Sequence, residues 1–278
     1  MKIFYYYKIS RPINIFLGSL SVLITATFFT PFPNVIKLIF AMLVVMLLNA
    51  AANCVNDIRD IEIDKINRPN RPLPAGKLNI SEVKIFAIIL FIVGNIISFS
   101  LGIFPFIISL FIATPLMIIY AIKLKQIAIW GNLLVSFILG LAFIFAAGAF
   151  GNYKIGIVPA VLAFLFTLIR EIIKDMEDMI GDEQFDAKTL PVMIGIDKTK
   201  SIVVFLMFVL IIVILIPYLI GVYGVYYLIV VLISVGIPVL LMIGYLLINK
   251  EQKKYNYLAK ILKVEIFFGL LSIYLGKF

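Results

Sequence analysis

Histidine is absent from the 278 residues of this chain, and cysteine and tryptophan occur once each, as Cys54 and Trp130. The missing imidazole excludes His-ligated zinc or haem and a histidine general base. A single cysteine excludes a disulfide framework and thiolate metal sites. Charge is scarce as well: 14% of residues are charged against 63% hydrophobic, a balance that no water-soluble fold of this length sustains. The fold class is therefore an all-α polytopic membrane protein. Whatever chemistry it performs must run on carboxylates, lysine, arginine, tyrosine, asparagine and backbone groups.

What the chain does have is a series of long apolar runs. A hydrocarbon core takes about 20 residues per helix. That predicts nine transmembrane helices, at roughly 13–31, 34–56, 83–101, 104–122, 131–150, 155–174, 201–220, 222–248 and 261–276. No length remains for a soluble domain, so residues 1–278 are read as one transmembrane domain, a single bundle. With the amino terminus and every even-numbered loop in the cytoplasm, all lysines and arginines except Lys37, Lys154 and Lys277 fall on that side, as the positive-inside rule asks. The carboxy terminus then lies outside. This rule accounts for the net charge of +9, so the expected partner is the lipid bilayer and not nucleic acid. The lysine run at 250–254 is expected to meet lipid head groups. The acidic residues are expected on the cytoplasmic side too, most of them within 57–82 and 171–197, although membrane insertion makes no such demand on Asp and Glu. Sidedness of acid as well as base suggests a site, a central cavity open to the cytoplasmic face. A faint repeat of apolar helix, acidic cluster and Pro-containing loop divides the chain into halves of roughly 1–125 and 126–278.

The first acidic cluster, Asn53–Asp64, reads N-C-V-N-D-I-R-D-I-E-I-D. On a continuing helix Asn53, Asp57, Asp60 and Asp64 share one face, and Asn56, Asp60 and Asp64 form a neighbouring column. The second cluster, 170–186, reads R-E-I-I-K-D-M-E-D-M-I-G-D-E-Q-F-D. Here Glu171, Asp175, Asp178 and Asp182 repeat the same steps of four, three and four, and Asp186 extends the column if the helix survives Gly181. Like charges so spaced repel by roughly 0.2–0.5 kcal/mol per pair even on an exposed helix, so a cation is expected against them. Hard oxygen ligands with no soft donor suit Mg2+. Arg59, Arg170 and Lys174 interleave with the columns, and Tyr120, Lys123 and Lys125 lie between them in sequence. Carboxylates mixed with basic residues suit a metal–diphosphate better than a bare cation.

At these residues the chain resembles the UbiA-type intramembrane prenyltransferases. The N-D-x-x-D-x-x-x-D signature is matched by Asn56, Asp57, Asp60 and Asp64, followed by R-P-x-R-P-L-P-x-G at Arg68–Gly76. The D-x-x-D-x-x-x-D signature is matched by Asp175, Asp178 and Asp182, trailed by Thr189–Pro191, and Arg11-Pro12 with Asn14 resembles the family's opening. One departure concerns the Tyr-x-x-x-Lys element: four residues after Tyr120 stands Leu124, with lysines at +3 and +5. The resemblance implies two Mg2+ ions, held by Asn56, Asp60 and Asp64 and by Asp178 and Asp182, with Asp57 and Asp175 assisting. They would clamp an isoprenyl diphosphate donor, with catalysis resting on Asp60, Asp64, Asp178 and Asp182. Arg11, Asn14, Asn53, Arg59, Arg68, Tyr120, Lys123, Lys125, Arg170 and Lys174 are the expected substrate contacts. Within the family, the Gly131-Asn132 pair and the wording of the second cluster are most similar to archaeal digeranylgeranylglyceryl phosphate synthases. That likeness implies transfer from geranylgeranyl diphosphate to the hydroxyl of geranylgeranylglyceryl phosphate, the second ether bond of archaeal lipids. An aromatic acceptor, 4-hydroxybenzoate or a naphthoate, is the alternative. A cation-coupled transporter is the rival from another class, but transporters place carboxylates near mid-membrane on broken helices, whereas these columns sit at helix ends.

Overall fold

The structure is a computed structural model and describes residues 2–125, 127–184, 186–248 and 255–278; the lysine run at 250–254 lies outside the described residues. Regular structure among them is helical, with one isolated bridge between Ile127 and Lys188. The helices are α1 (Lys2–Ile9), α2 (Pro12–Ala26), α3 (Val35–Arg59), α4 (Ile61–Asn67), α5 (Ile80–Leu101), α6 (Ile103–Leu124), α7 (Trp130–Ala149), α8 (Ile157–Gln184), α9 (Leu190–Ile194), α10 (Ile196–Leu219), α11 (Val225–Ile248) and α12 (Tyr255–Leu275). Such a fold follows from the solvent, because in hydrocarbon only helices satisfy every backbone group within one segment.

Among the described residues seven helices are long and apolar enough to cross a membrane, and the bent pair α1–α2 makes eight. A ninth segment, α12, is a 21-residue helix whose Lys260, Lys263 and Glu265 dilute its apolar character. It begins well before the expected residue 261, so Glu265 sits in mid-helix and is buried. At the other end of the chain, α1 and α2 meet at 55° because Arg11 adopts φ 56° and Pro12 opens α2. Proline is at home in a first helical turn, where its missing N–H would have had no partner.

The chain divides into two compact units. One comprises Met1–Lys125 with Leu141–Gly156, the other Gln126–Gly140 with Ile157–Phe278. In the first, α3 is the central helix, packed by α2, α5 and α6. Gly18 and Gly94 lie on its contacts: a Cβ on Gly18 would come 2.8 Å from the Asn49 amide, and one on Gly94 3.1 Å from Leu48. Small residues at such crossings are the usual way for membrane helices to approach closely. In the second unit, α8 is packed by α9, α10 and α12. A Cβ on Gly140 would sit 2.7 Å from the Ala160 carbonyl oxygen, so glycine is what lets these two backbones touch. The two acidic clusters lie on α3–α4 and on α8, one in each unit.

Candidate active site

The first column forms where a helix nearly ends. α3 stops at Arg59, Asp60 has φ −88° and ψ 3°, and α4 resumes at Ile61. The hydrogen-bond ladder runs through the break: Asp60 N–H donates to the Asn56 carbonyl at 3.0 Å, and Asp64 N–H to the Asp60 carbonyl at 2.7 Å. The four-three-four spacing therefore still gathers side chains on one side despite the kink. Asn53, Asp57, Asp60 and Asp64 are all buried. Ionised carboxylates so placed need partners, since each unpaired charge would cost several kcal/mol.

Basic residues supply those partners. Arg11 pairs with Asp57, and Lys125 pairs with Asp60. Arg71 bridges two carboxylates, at 2.5 Å to Asp64 and 3.3 Å to Asp57. Its loop is fixed by apolar anchors, Leu73 and Leu78, which pack with Ile9, Cys54 and Val83, and by Lys8, which donates to the Asn70 carbonyl at 3.0 Å. Asn53 donates its amide to the Ser10 carbonyl at 2.9 Å, so it secures the turn that presents Arg11. Asn14 is exposed one turn into α2, and Arg68 is exposed at the end of α4. Arg59 is exposed and reaches the Ile122 carbonyl at 3.4 Å.

The lysine at the end of α6 is decided by a helix irregularity. Tyr120–Leu124 is a π-turn, and Lys125 N–H donates to the Tyr120 carbonyl, five residues back, at 2.9 Å. A π-turn adds one residue per turn, so +5 takes the angular place of +4 on an α-helix. Lys125 thus stands where the Tyr-x-x-x-Lys spacing would put its lysine, and it reaches Asp60. Lys123 is exposed.

On α8 the second column is shallower. Glu171 is buried and gathers Arg170, which pairs with it, and Lys174 at 3.8 Å. Asp175 and Asp182 are half-buried and Asp178 is exposed. Asp175 accepts a hydrogen bond from the Asn132 amide at 2.8 Å. The helix does pass Gly181 but ends at Gln184, and Asp186, with φ 53°, lies beyond it. Asp186 therefore does not extend the column.

Among the described residues no three acidic or thiol side chains converge closely enough to hold a metal by themselves. Mg2+ asks for no such cluster, since it keeps several waters and binds through one or two carboxylates plus substrate phosphate. The observation that points to a cation is Asn56, whose Oδ1 is buried with no hydrogen-bond partner, an oxygen that a cation would satisfy. Two residues escaped the sequence reading as site residues. Arg71 was hidden inside a loop signature, and Asn132 carried no charge to mark it.

A buried carboxylate column laced with arginine and lysine, at the end of apolar helices, defines an intramembrane enzyme for an anionic substrate. The UbiA prenyltransferase family matches residues 15–266; the chain belongs to that family and is an intramembrane prenyltransferase. Among its relatives, the digeranylgeranylglyceryl phosphate synthase of Methanosphaera stadtmanae is 34% identical over 272 residues, 98% of each chain. The synthase of the same name from Sulfurisphaera tokodaii is 43% identical over 189 residues, 67% of this chain and 68% of that one. A solved structure described as digeranylgeranylglyceryl phosphate synthase in membranes is 31% identical, covers 99% of this chain and 98% of its own, and superposes with TM-score 0.82. A UbiA homolog from Archaeoglobus fulgidus, solved bound to DMAPP and Mg2+, shares the fold with TM-score 0.68 at 17% identity, over 96% of this chain and 98% of that one.

Proposed function

We propose that the protein transfers a geranylgeranyl group from geranylgeranyl diphosphate to the hydroxyl of geranylgeranylglyceryl phosphate, releasing diphosphate and forming the second ether bond of archaeal lipids. The observation that carries this reading is the pairing of buried carboxylates with Arg11, Arg71 and Lys125 on the α3–α4 stretch that also bears the orphaned Asn56 oxygen. This is a mixed set of hard acceptors and cations, matched to a metal-bound diphosphate. Synthase-named relatives spanning nearly the whole chain supply the substrate class. Mg2+ would be held by Asn56, Asp60 and Asp64 with Asp57 beside them, and by Asp178 and Asp182 with Asp175. When bound, it neutralises the charge that grows on the leaving diphosphate. Arg11, Arg71, Lys125, Arg170 and Lys174 are the residues that turn to the phosphate oxygens, as preorganised cations in a site sheltered from water. The allylic C–O bond breaks, the acceptor oxygen bonds to the freed carbon, and its proton passes to a carboxylate, water or the released diphosphate. The prenyl chains lie in hydrocarbon, and the carboxylate-bearing helix ends face the cytoplasm, where the soluble diphosphate ends of the substrates reside.

The test is transfer by purified protein with Mg2+ and labelled geranylgeranyl diphosphate, offered geranylgeranylglyceryl phosphate, 4-hydroxybenzoate and a naphthoate. Transfer to the glyceryl lipid is expected. Transfer to an aromatic acceptor alone would replace the acceptor, and ion flux in proteoliposomes with no transfer would sink the enzyme reading. Asp60→Ala and Asp178→Ala should each abolish transfer while the protein remains folded by circular dichroism.

A further inference from the structure

Asn132 is a buried amide in the first turn of a membrane helix, a costly place for a polar group unless it is bonded. It is 6% exposed, and both ends of the residue are tied. Its backbone carbonyl accepts from the Ser136 hydroxyl at 2.5 Å, and its side-chain Nδ2 donates to Asp175 Oδ2 at 2.8 Å. Ser136 is itself fully buried. A residue needed only to fill space here would be apolar, since leucine occupies much the same volume without the desolvation. An aspartate would repel its neighbour, leaving asparagine as the neutral, short donor that can grip a carboxylate. The bond takes up one oxygen and so fixes the plane of the Asp175 carboxylate relative to α8, whose next turn carries Asp178. Groups that orient a metal ligand from behind typically change affinity by about 10–100-fold when removed.

We propose that Asn132 is a positioning residue for the second metal-binding column, holding Asp175 in the orientation that the cation requires. The inference rests on the reading of Asp175, Asp178 and Asp182 as a metal site. The side-chain amide of Asn132 is spent on Asp175 and its carbonyl on Ser136, so its effect is expected on metal affinity first and on turnover through it.

Mn2+ binding to the full-length protein in detergent, followed by electron paramagnetic resonance and displaced by Mg2+, reads this directly. Transfer measured as a function of Mg2+ accompanies it. Asn132→Ala and the size-matched, apolar Asn132→Leu are expected to weaken Mn2+ binding at the α8 site by about tenfold or more. They should also raise the Mg2+ concentration for half-maximal transfer, with kcat at saturating Mg2+ much less affected. Unchanged Mn2+ affinity in both variants would overturn the proposal. If either variant fails to fold, Asn132→Ser decides, because it keeps a small neutral hydroxyl in the same turn but is too short to hold the Asp175 carboxylate as the amide does. It is expected to keep near-wild-type thermal stability while Mn2+ affinity falls; wild-type Mn2+ affinity in folded Asn132→Ser would overturn the proposal. Wild-type protein that binds no Mg2+-displaceable Mn2+, or in which Asp178→Ala leaves Mn2+ binding intact, would refute the metal site itself. Loss of binding in Asp178→Ala but not in the Asn132 variants would refute this inference alone.

Discussion

Asp57 is 3% exposed and answers to two guanidiniums, Arg11 and Arg71. Buried charge of this kind is costly to unbalance, because removal of one partner leaves the other charge without its neutraliser. Arg71 also grips Asp64, so it touches two members of the column from one loop. Arg71→Ala should therefore lower transfer by at least about tenfold, and should cost on the order of 1–3 kcal/mol of stability by exposing the imbalance. Arg71→Lys should recover part of the stability but less of the activity, because a compact ammonium is more strongly hydrated than a guanidinium and lacks its planar set of donors. Steady-state kinetics and thermal unfolding in detergent check both; equal kinetics for the alanine variant and wild type would remove Arg71 from the site. The carboxylates themselves were legible in the sequence, because their spacing repeats and the surrounding apolar residues isolate them. Arg71 and Asn132 were not. One sits in a loop whose path depends on Leu73 and Leu78 finding a core with Ile9 and Cys54. The other is defined by a partner 43 positions away along the chain.

Among elements, the π-turn at Tyr120–Leu124 has the clearest functional reading. Sequence spacing left two lysines open, since helical phase was assumed to be uniform and a widened turn shifts everything after it. The structure aims Lys125 at Asp60 and leaves Lys123 exposed. Lys125→Ala is accordingly expected to reduce kcat/KM for geranylgeranyl diphosphate by about tenfold or more, a charge-assisted contact being worth roughly 1.5–3 kcal/mol. Lys123→Ala should change it by less than about twofold, as surface charges usually do. The opposite ranking would show that the widened turn does not set the register. The central helices, α3 and α5 to α7, were read to within a few residues, because runs of about 20 apolar residues admit little else. Breaks were read poorly. The kink at Asp60, the bend at Arg11 and the end of α8 before Asp186 all depend on local backbone choices that apolar patterning does not record.

For the whole molecule, the sole cysteine becomes useful. Cys54 is fully buried, so single cysteines introduced elsewhere can be labelled against a silent background. With an impermeant maleimide on intact cells, cysteines at Lys37 and Lys154 should react, and those at Lys65 and Lys188 should react only after permeabilisation. The reverse pattern would invert the proposed orientation. Membrane residence and helix content were plain from composition, and the seven apolar helices follow from it. The ninth segment was harder to delimit, since α12 carries Lys260, Lys263 and Glu265 and its start at Tyr255 is not an apolar boundary.

The ion pairs of the first column have one more consequence. Asp57, Asp60 and Asp64 are each engaged by a tethered cation, so a divalent ion arriving there must compete with arginine and lysine for the same oxygens. Such a site behaves as an ion exchanger with built-in counter-ions. On the proposed reading, its hold on Mg2+ alone would be weakened by the competition, and would strengthen when a polyanion draws the basic side chains away from the carboxylates. Metal and diphosphate would then favour one another's binding by the same factor, as reciprocal linkage requires. The column is thus charge-balanced without a metal, and on the proposed reading would take up its metal together with the substrate.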